Sequence, residues 1–286
     1  MPEAEGAGRQ QQPTASERRR MYRDLALALR CGLRDAAAGF SFLRLRGLRA
    51  LLRALSSAAD AAGAGLFRDS QSLRDLQVVP VLFEHSLRKA SGGGGAVVTV
   101  GQVLGIEPAK LRNPATDSEV VLALRVLEGC CLLCPDCAAA AHRHDAVKYD
   151  REVILNILMT RGVPEQRACL DTLLALLVDC SENVMDFKEQ QGLNKIADLV
   201  KDTDTDDHVR LKCAEFLLLY SGAAREKKYG SASGTTMRED LRKHFGDECA
   251  AFICSTNLFN STLDPQVRQP ELSFLAEHVL DFMQPH

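Results

Sequence analysis

The sequence predicts an all-helical fold, and three observations carry that expectation. The 286 residues are 46% hydrophobic, yet aromatics make up only 5% and tryptophan is absent, so Leu, Ala and Val must fill the core. A core of that kind suits helices better than sheets. Apolar residues recur at helical spacing early in the chain, as Met21, Leu25, Ala28, Leu29 and Leu33, then as Phe42, Leu45, Leu48, Leu52 and Leu55. From Asp117 onward, Leu-rich segments opened by acidic or capping residues repeat: "SEVVLALRVLEGCCLLCPD", "PEQRACLDTLLALLVDCSEN" and "DDHVRLKCAEFLLLYSGAA".

The elements follow in order. Residues 1–16, "MPEAEGAGRQQQPTAS", are polar and too poor in apolar groups to offset the entropy of ordering, so a disordered start is expected. Helix begins after it, although Ser16 with Arg19 and Arg20 makes a poor capping box. Two arginine-faced helices and a third candidate, "SLRDLQVVPVLFEHSLRKA", form a basic N-terminal unit over 17–90. The run "SGGGG" then opens a Gly-rich linker over 91–116; it has no Lys-Ser/Thr sequel and is not a phosphate loop. Repeats occupy 117–224, with "AVKYDREVILNILM" and "GLNKIADLVKD" between the long helices. A flexible loop ("EKKYGSASGT") and C-terminal capping helices complete 225–286.

Aligning Pro135-Asp136 with Glu182-Asn183 takes an offset of 47, and aligning Ser181 with Gly222 takes 41. Both fit armadillo or HEAT repeats, whose period is about 40–47. The expected architecture is therefore an α-solenoid in which neighbouring repeats bury each other's apolar faces and the chain ends supply caps.

The net charge of −3 conceals a division, because residues 1–90 carry 15 Lys/Arg against 9 Asp/Glu and the remainder 20 against 29. The basic half lacks both interleaved aromatics and a duplex-reading motif, which argues against a nucleic-acid partner. No uncharged run of 18 or more residues is present, so no membrane span is expected. Several of the ten cysteines sit inside apolar runs, the pattern of buried thiols in a reducing compartment, which points to the cytoplasm or nucleus.

The densest group of chemically capable residues is "EGCCLLCPDCAAAAHRHD". Cys131, Cys134 and Cys137 follow at Cys-x2-Cys-x2-Cys spacing with His142 and His144 beyond, enough ligands for tetrahedral zinc or for a redox centre. Against this, Cys131 and Cys137 align at the 47-residue offset with Val178 and Val184, and two leucines separate Cys131 from Cys134 where a zinc knuckle needs a turn. Core packing is the stronger expectation, with a metal or redox site using Cys131, Cys134, Cys137 and His142 as the alternative. Neither paired carboxylates nor Gly-x-Ser-x-Gly nor a kinase signature occurs, so no enzyme and no cofactor are expected.

A candidate binding surface comes from the same periodicity. At the 41-residue offset Arg167 aligns with His208, Asp171 with Lys212 and Leu174 with Glu215, so that Arg167, Asp171, His208, Lys212 and Glu215 form a charged stripe across two repeats. Such a stripe is either a solvated face or the wall of a groove that selects a partner by complementary charge.

Finally, "LRVLEGCCLLCPD", "ILMTRGVPEQRACLDTLLALLVDCSENVMDFKEQQGLNKIADLVKD", "VRLKCAEFLLLY" and "STLDP" together resemble the septation initiation network component called cell division control protein fourteen, in its plant form, which is not the phosphatase of that name. The resemblance covers residues 119–221 well and 261–286 loosely. It implies a non-catalytic, armadillo-like protein that binds and supports a germinal-centre, Ste20-like protein kinase in a cascade controlling cytokinesis. A general peptide-binding adaptor of the same fold is the other reading.

Overall fold

The computed structural model describes residues 13–87, 114–147, 153–226, 230–256 and 265–282. Among these residues the regular structure is helical throughout, as the composition requires. Helix α1 (Ala15–Ala36) starts at Thr14, whose side chain accepts from the Glu17 N–H while Glu17 reaches back to the Thr14 N–H at 2.8 Å. This complete capping box places the helix start ahead of the one expected after Ser16, because Thr-x-x-Glu satisfies two orphan N–H groups and Ser16 with Arg19 satisfies none. Residues 1–12 lie outside the described residues, as does the Gly-rich linker up to 113.

Helix α2 (Ser41–Ser57) packs along α1, and α3 (Ala61–Gln71) is capped by Asp60, whose side chain accepts from the Gly63 N–H at 2.6 Å. Periodicity alone misses α3, since its buried face is Gly63, Leu66, Phe67 and Ser70, of which only two are large apolar residues. The single helix expected over 72–90 is broken into a 3-10 turn (Arg74–Leu76) and α4 (Val78–His85). Gln77 is extended between them, and Pro80 falls in the first turn of α4, where its missing N–H costs no hydrogen bond. Gln71 spans the break: its Nε2 donates to Leu76 O at 2.9 Å and its Oε1 accepts from the Val78 N–H at 3.0 Å.

The rest of the chain forms α5 (Asp117–Leu133), α6 (Asp136–Arg143), α7 (Val153–Thr160), α8 (Val163–Val178), α9 (Ser181–Glu189), α10 (Gly192–Lys201), α11 (Asp207–Glu226), α12 (Gly230–Ser255) and α13 (Pro265–Asp281). Of the loop expected over 226–235, residues 227–229 lie outside the described residues, and from Gly230 the chain is helical. Helix α12 bends at Gly246, whose φ of 79° lies in the region that only glycine enters freely.

Helices α1, α2, α5, α8, α11 and α13 each touch the next in that order and make one layer. Helices α4, α6, α9, α10 and α12, short apart from α12, do the same and make a second layer over it, while α7 packs on α8. One apolar cluster runs without interruption from Ala26 in α1 to Val279 in α13. Polar side chains tie the layers at their joints. Thr172 Oγ1 of α8 donates to Leu124 O of α5 at 3.0 Å, and Asn183 Nδ2 of α9 donates to Ala138 O of α6 and Leu176 O of α8, both at 3.1 Å.

The strongest polar tie lies between α2 and α5. Arg44, 3% exposed, donates from Nε and Nη2 to Glu119, 0% exposed, at 3.1 and 3.0 Å, and from Nη1 to Gly39 O at 2.7 Å. Glu119 also accepts from Ser41 Oγ, and it accepts from the Thr116 N–H at 3.2 Å as the N3 residue of the α5 capping box. One carboxylate thus caps a helix and neutralises a buried guanidinium 75 residues away in the chain.

Candidate functional site

The charged stripe expected from the repeat offset is only partly an open surface. Lys212 on α11 lies 2.8 Å from Asp171 on α8 and 3.0 Å from Glu215 one turn further along its own helix. Glu215 is buried and accepts from Ser273 Oγ of α13 at 2.9 Å. Three of the five residues therefore lock α8, α11 and α13 together, whereas Arg167 and His208 are exposed. Burial would lower the Lys212 pKa, but Asp171 and then Glu215 hold its ammonium above the usual value.

Sequence reasoning missed one member of this cluster. Glu128 on α5 is half-buried, and desolvation first, then the neighbouring Asp171 charge, push its carboxyl up to about 7, with Lys212 and Arg125 opposing. A folded-state pKa above the unfolded value of about 4.3 means the fold favours the protonated acid. The contribution of Glu128 is fully present below about pH 4 and is lost as pH rises through about 7. Glu128→Gln is expected to stabilise the protein by about 1–2 kcal/mol at pH 8, discounted for partial exposure, and to change little at pH 4, as read by urea unfolding at both values. A gain of equal size at both pH values would rule out the titration account.

The cysteine-rich segment runs from the end of α5 into α6. Cys131, Cys134 and Cys137 are all buried, while His142 is half-buried with Nδ1 2.9 Å from Asp186 Oδ2 on α9. Among the described residues no group of three or more His, Cys, Asp and Glu side chains is arranged to hold a metal ion. The thiols that most affect one another are Cys130, Cys134 and Cys137, all buried, with Cys130 first and Cys134 after it lowering the Cys137 pKa against burial. Cys131 is buried beside them, its pKa raised first by burial and then by Cys137 and Cys134. Cys130 and Cys134 lie one turn apart at the end of α5, while Cys137 belongs to α6, so what brings it to them is the turn at Pro135 and not helical phase.

Helix packing explains why these positions are apolar. Cys134 ends α5 and Cys180 precedes α9, both buried and extended, so they occupy the same joint in successive helix pairs at an offset of 46, one short of that read from the sequence. Cys131→Val preserves volume and apolarity and is expected to cost about 1 kcal/mol or less by denaturant midpoint.

These features define a layered, all-helical protein held by buried ion pairs and by polar ties at its joints. The family model described as cell division control protein 14, SIN component, matches residues 101–243, half of the chain, and the chain belongs to that family of septation initiation network components. The matched stretch takes in α5–α11 with Glu128, Asp171, Lys212 and Glu215, and the thiol segment with them. No curated protein and no solved structure matches the chain. Among the described residues no helix is long and apolar enough to cross a membrane.

Proposed function

We propose that the protein is a non-catalytic, armadillo-like helical-repeat scaffold that binds and supports a germinal-centre, Ste20-like protein kinase in a cell-division cascade of the cytoplasm or nucleus. The observation that supports this best is the ordered run of α2, α5, α8, α11 and α13, each on the next, within a chain of the cell-division family. In this reading residues 117–224 are the repeat array, and the basic helices of 17–90 and the helices of 225–286 close its ends. Stacking of this kind gives a surface that is rigid before a partner arrives, which lowers the entropy cost of docking.

The stripe supplies the docking surface through its exposed members, Arg167 and His208, with Asp171, Lys212 and Glu215 holding the helices that carry them. Charge exchange within the locked trio would confuse binding with stability, so the discriminating variant is the pair Arg167→Glu and His208→Glu. Calorimetry against the kinase is expected to show affinity reduced by about tenfold or more with the fold intact. Failure of the unmodified chain to bind would sink the kinase reading, and capture of extended peptides instead would favour a general adaptor.

A second docking face has its own support. Phe42, Arg46, Arg49 and Arg53 are exposed along one side of α2, which carries four arginines and no acidic residue, and the Phe42 ring stacks on exposed Phe40 at 6.0 Å. Unchanged affinity in the Arg167→Glu/His208→Glu variant would move the site to this face, where Arg49→Glu/Arg53→Glu is then expected to abolish binding.

A further inference from the structure

The turn between α5 and α6 reads Cys134-Pro135-Asp136-Cys137, two cysteines with two residues between them and the second in the first turn of a helix. Helix α5 closes with Cys134 N–H donating to Cys130 O at 2.9 Å, and α6 opens with Cys137 N–H donating to Cys134 O at 2.9 Å. The chain thereby reverses in one tight turn between the two helix ends, with Cys130, Cys134 and Cys137 all buried around it. Pro135 and Asp136 are exposed, so the dithiol lies one residue beneath the surface.

We propose that Cys134 and Cys137 are a peroxide-sensitive dithiol that closes reversibly to an intrachain disulfide. The backbone bond from Cys137 N–H to Cys134 O closes a tight turn that holds the two cysteines near one another, the Cys-x-x-Cys arrangement in which an S–S bond can form. In the first step the Cys137 thiolate attacks one oxygen of hydrogen peroxide. An S–O bond forms, the O–O bond breaks, and the departing hydroxide takes up the proton released by Cys137 to leave as water. In the second step Cys134 attacks the Cys137 sulfenic sulfur, the S–S bond forms, the S–O bond breaks, and the hydroxide leaves with the Cys134 proton as a second water. The two sulfurs lose two electrons and the peroxide gains them; a dithiol reductant reverses the change.

The roles of the two cysteines follow from their surroundings. The neighbouring Cys130 thiol is the main influence lowering the Cys137 pKa, burial opposes it, and the Cys134 thiol adds to the lowering. Burial raises Cys134 to about 11, which suits it to the resolving role. The same fold provides a contrast in Cys213, which burial alone raises to about 12, and Cys249, raised to about 11 by the same cause. Both are buried in the apolar cluster and serve as packing.

The test uses the full chain, treated with hydrogen peroxide, then unfolded, alkylated and digested without reduction. A cross-linked peptide joining Cys134 to Cys137 is expected, with alkylation of these two reduced by about tenfold and restored by dithiothreitol. Cys213 and Cys249 should alkylate as before. Cys134→Ser is expected to leave Cys137 as a sulfenic acid that dimedone traps. The proposal is overturned if Cys134 and Cys137 still alkylate fully when exposed Cys31 has been oxidised, or if Cys137 pairs with Cys130 instead.

Discussion

Arg44→Met is expected to cost about 3–5 kcal/mol of stability, the usual penalty for leaving a buried charge without its partner. The substitution keeps the length and the apolar stem of the side chain but removes the guanidinium that faces Glu119 at 3.0 Å. Glu119 is then a carboxylate with no access to water and no cation, and Gly39 O, at 2.7 Å from the lost Nη1, is left without that donor. Because the pair joins α2 to α5, the loss should loosen the junction between the basic helices and the rest of the stack. Equilibrium unfolding in urea measures the cost. The companion Arg44→Met/Glu119→Leu removes both charges, and part of the loss should return, short of the full amount because Glu119 also caps the start of α5. A cost under about 1 kcal/mol for Arg44→Met alone would show that the pair is solvated, contrary to the structure.

How much of this was legible beforehand depends on the range of the signal. The long Leu-rich helices of the 117–224 stretch were plain in the sequence, since Leu at intervals of three and four marks a buried face without reference to any other segment, whereas α6 and α9 hold no leucine and left no such mark. The stripe was partly legible: the repeat offset brought Asp171 next to Lys212, which the structure places at 2.8 Å, but nothing local showed that Ser273 of α13 would cover Glu215. Arg44 read as one of several arginines on an amphipathic helix, and Glu119 as one of the acids opening another. Their pairing across 75 residues is a tertiary event with no local trace. Helix α3 escaped for a different reason, in that a Gly- and Ala-rich helix is held by its Asp60 cap and by close packing, not by a run of large apolar groups. The nearness of Cys130 to Cys137 had no helical-phase signal, because the chain turns at Cys134-Pro135 and Cys137 opens a different helix.

Gly47→Ala is expected to destabilise the protein by about 3 kcal/mol or more, the upper range for overpacking, even though alanine is worth up to about 1 kcal/mol over glycine in a helix interior. A Cβ at position 47 would sit 2.3 Å from Ala36 N and 2.6 Å from Gly32 O, both backbone atoms of α1. A side-chain clash can be relieved by a change of rotamer, but backbone in a packed helix moves only as a body, so α1 and α2 must separate and open contacts along their length. Gly32 faces the same crossing with a softer neighbour, Leu51 Cδ2 at 2.8 Å, and Gly32→Ala should cost less than Gly47→Ala. Gly65 in α3 has nothing within 4 Å of an added Cβ, and Gly65→Ala should raise stability by about 0.5–1 kcal/mol through helix propensity alone. Thermal unfolding of the three variants should therefore rank them Gly65→Ala above the parent, with Gly32→Ala and then Gly47→Ala below it. If Gly47→Ala matched Gly65→Ala, the close approach of α1 and α2 would be wrong, and the Arg44 clip, which depends on how α2 sits against its neighbours, would have to be reconsidered with it.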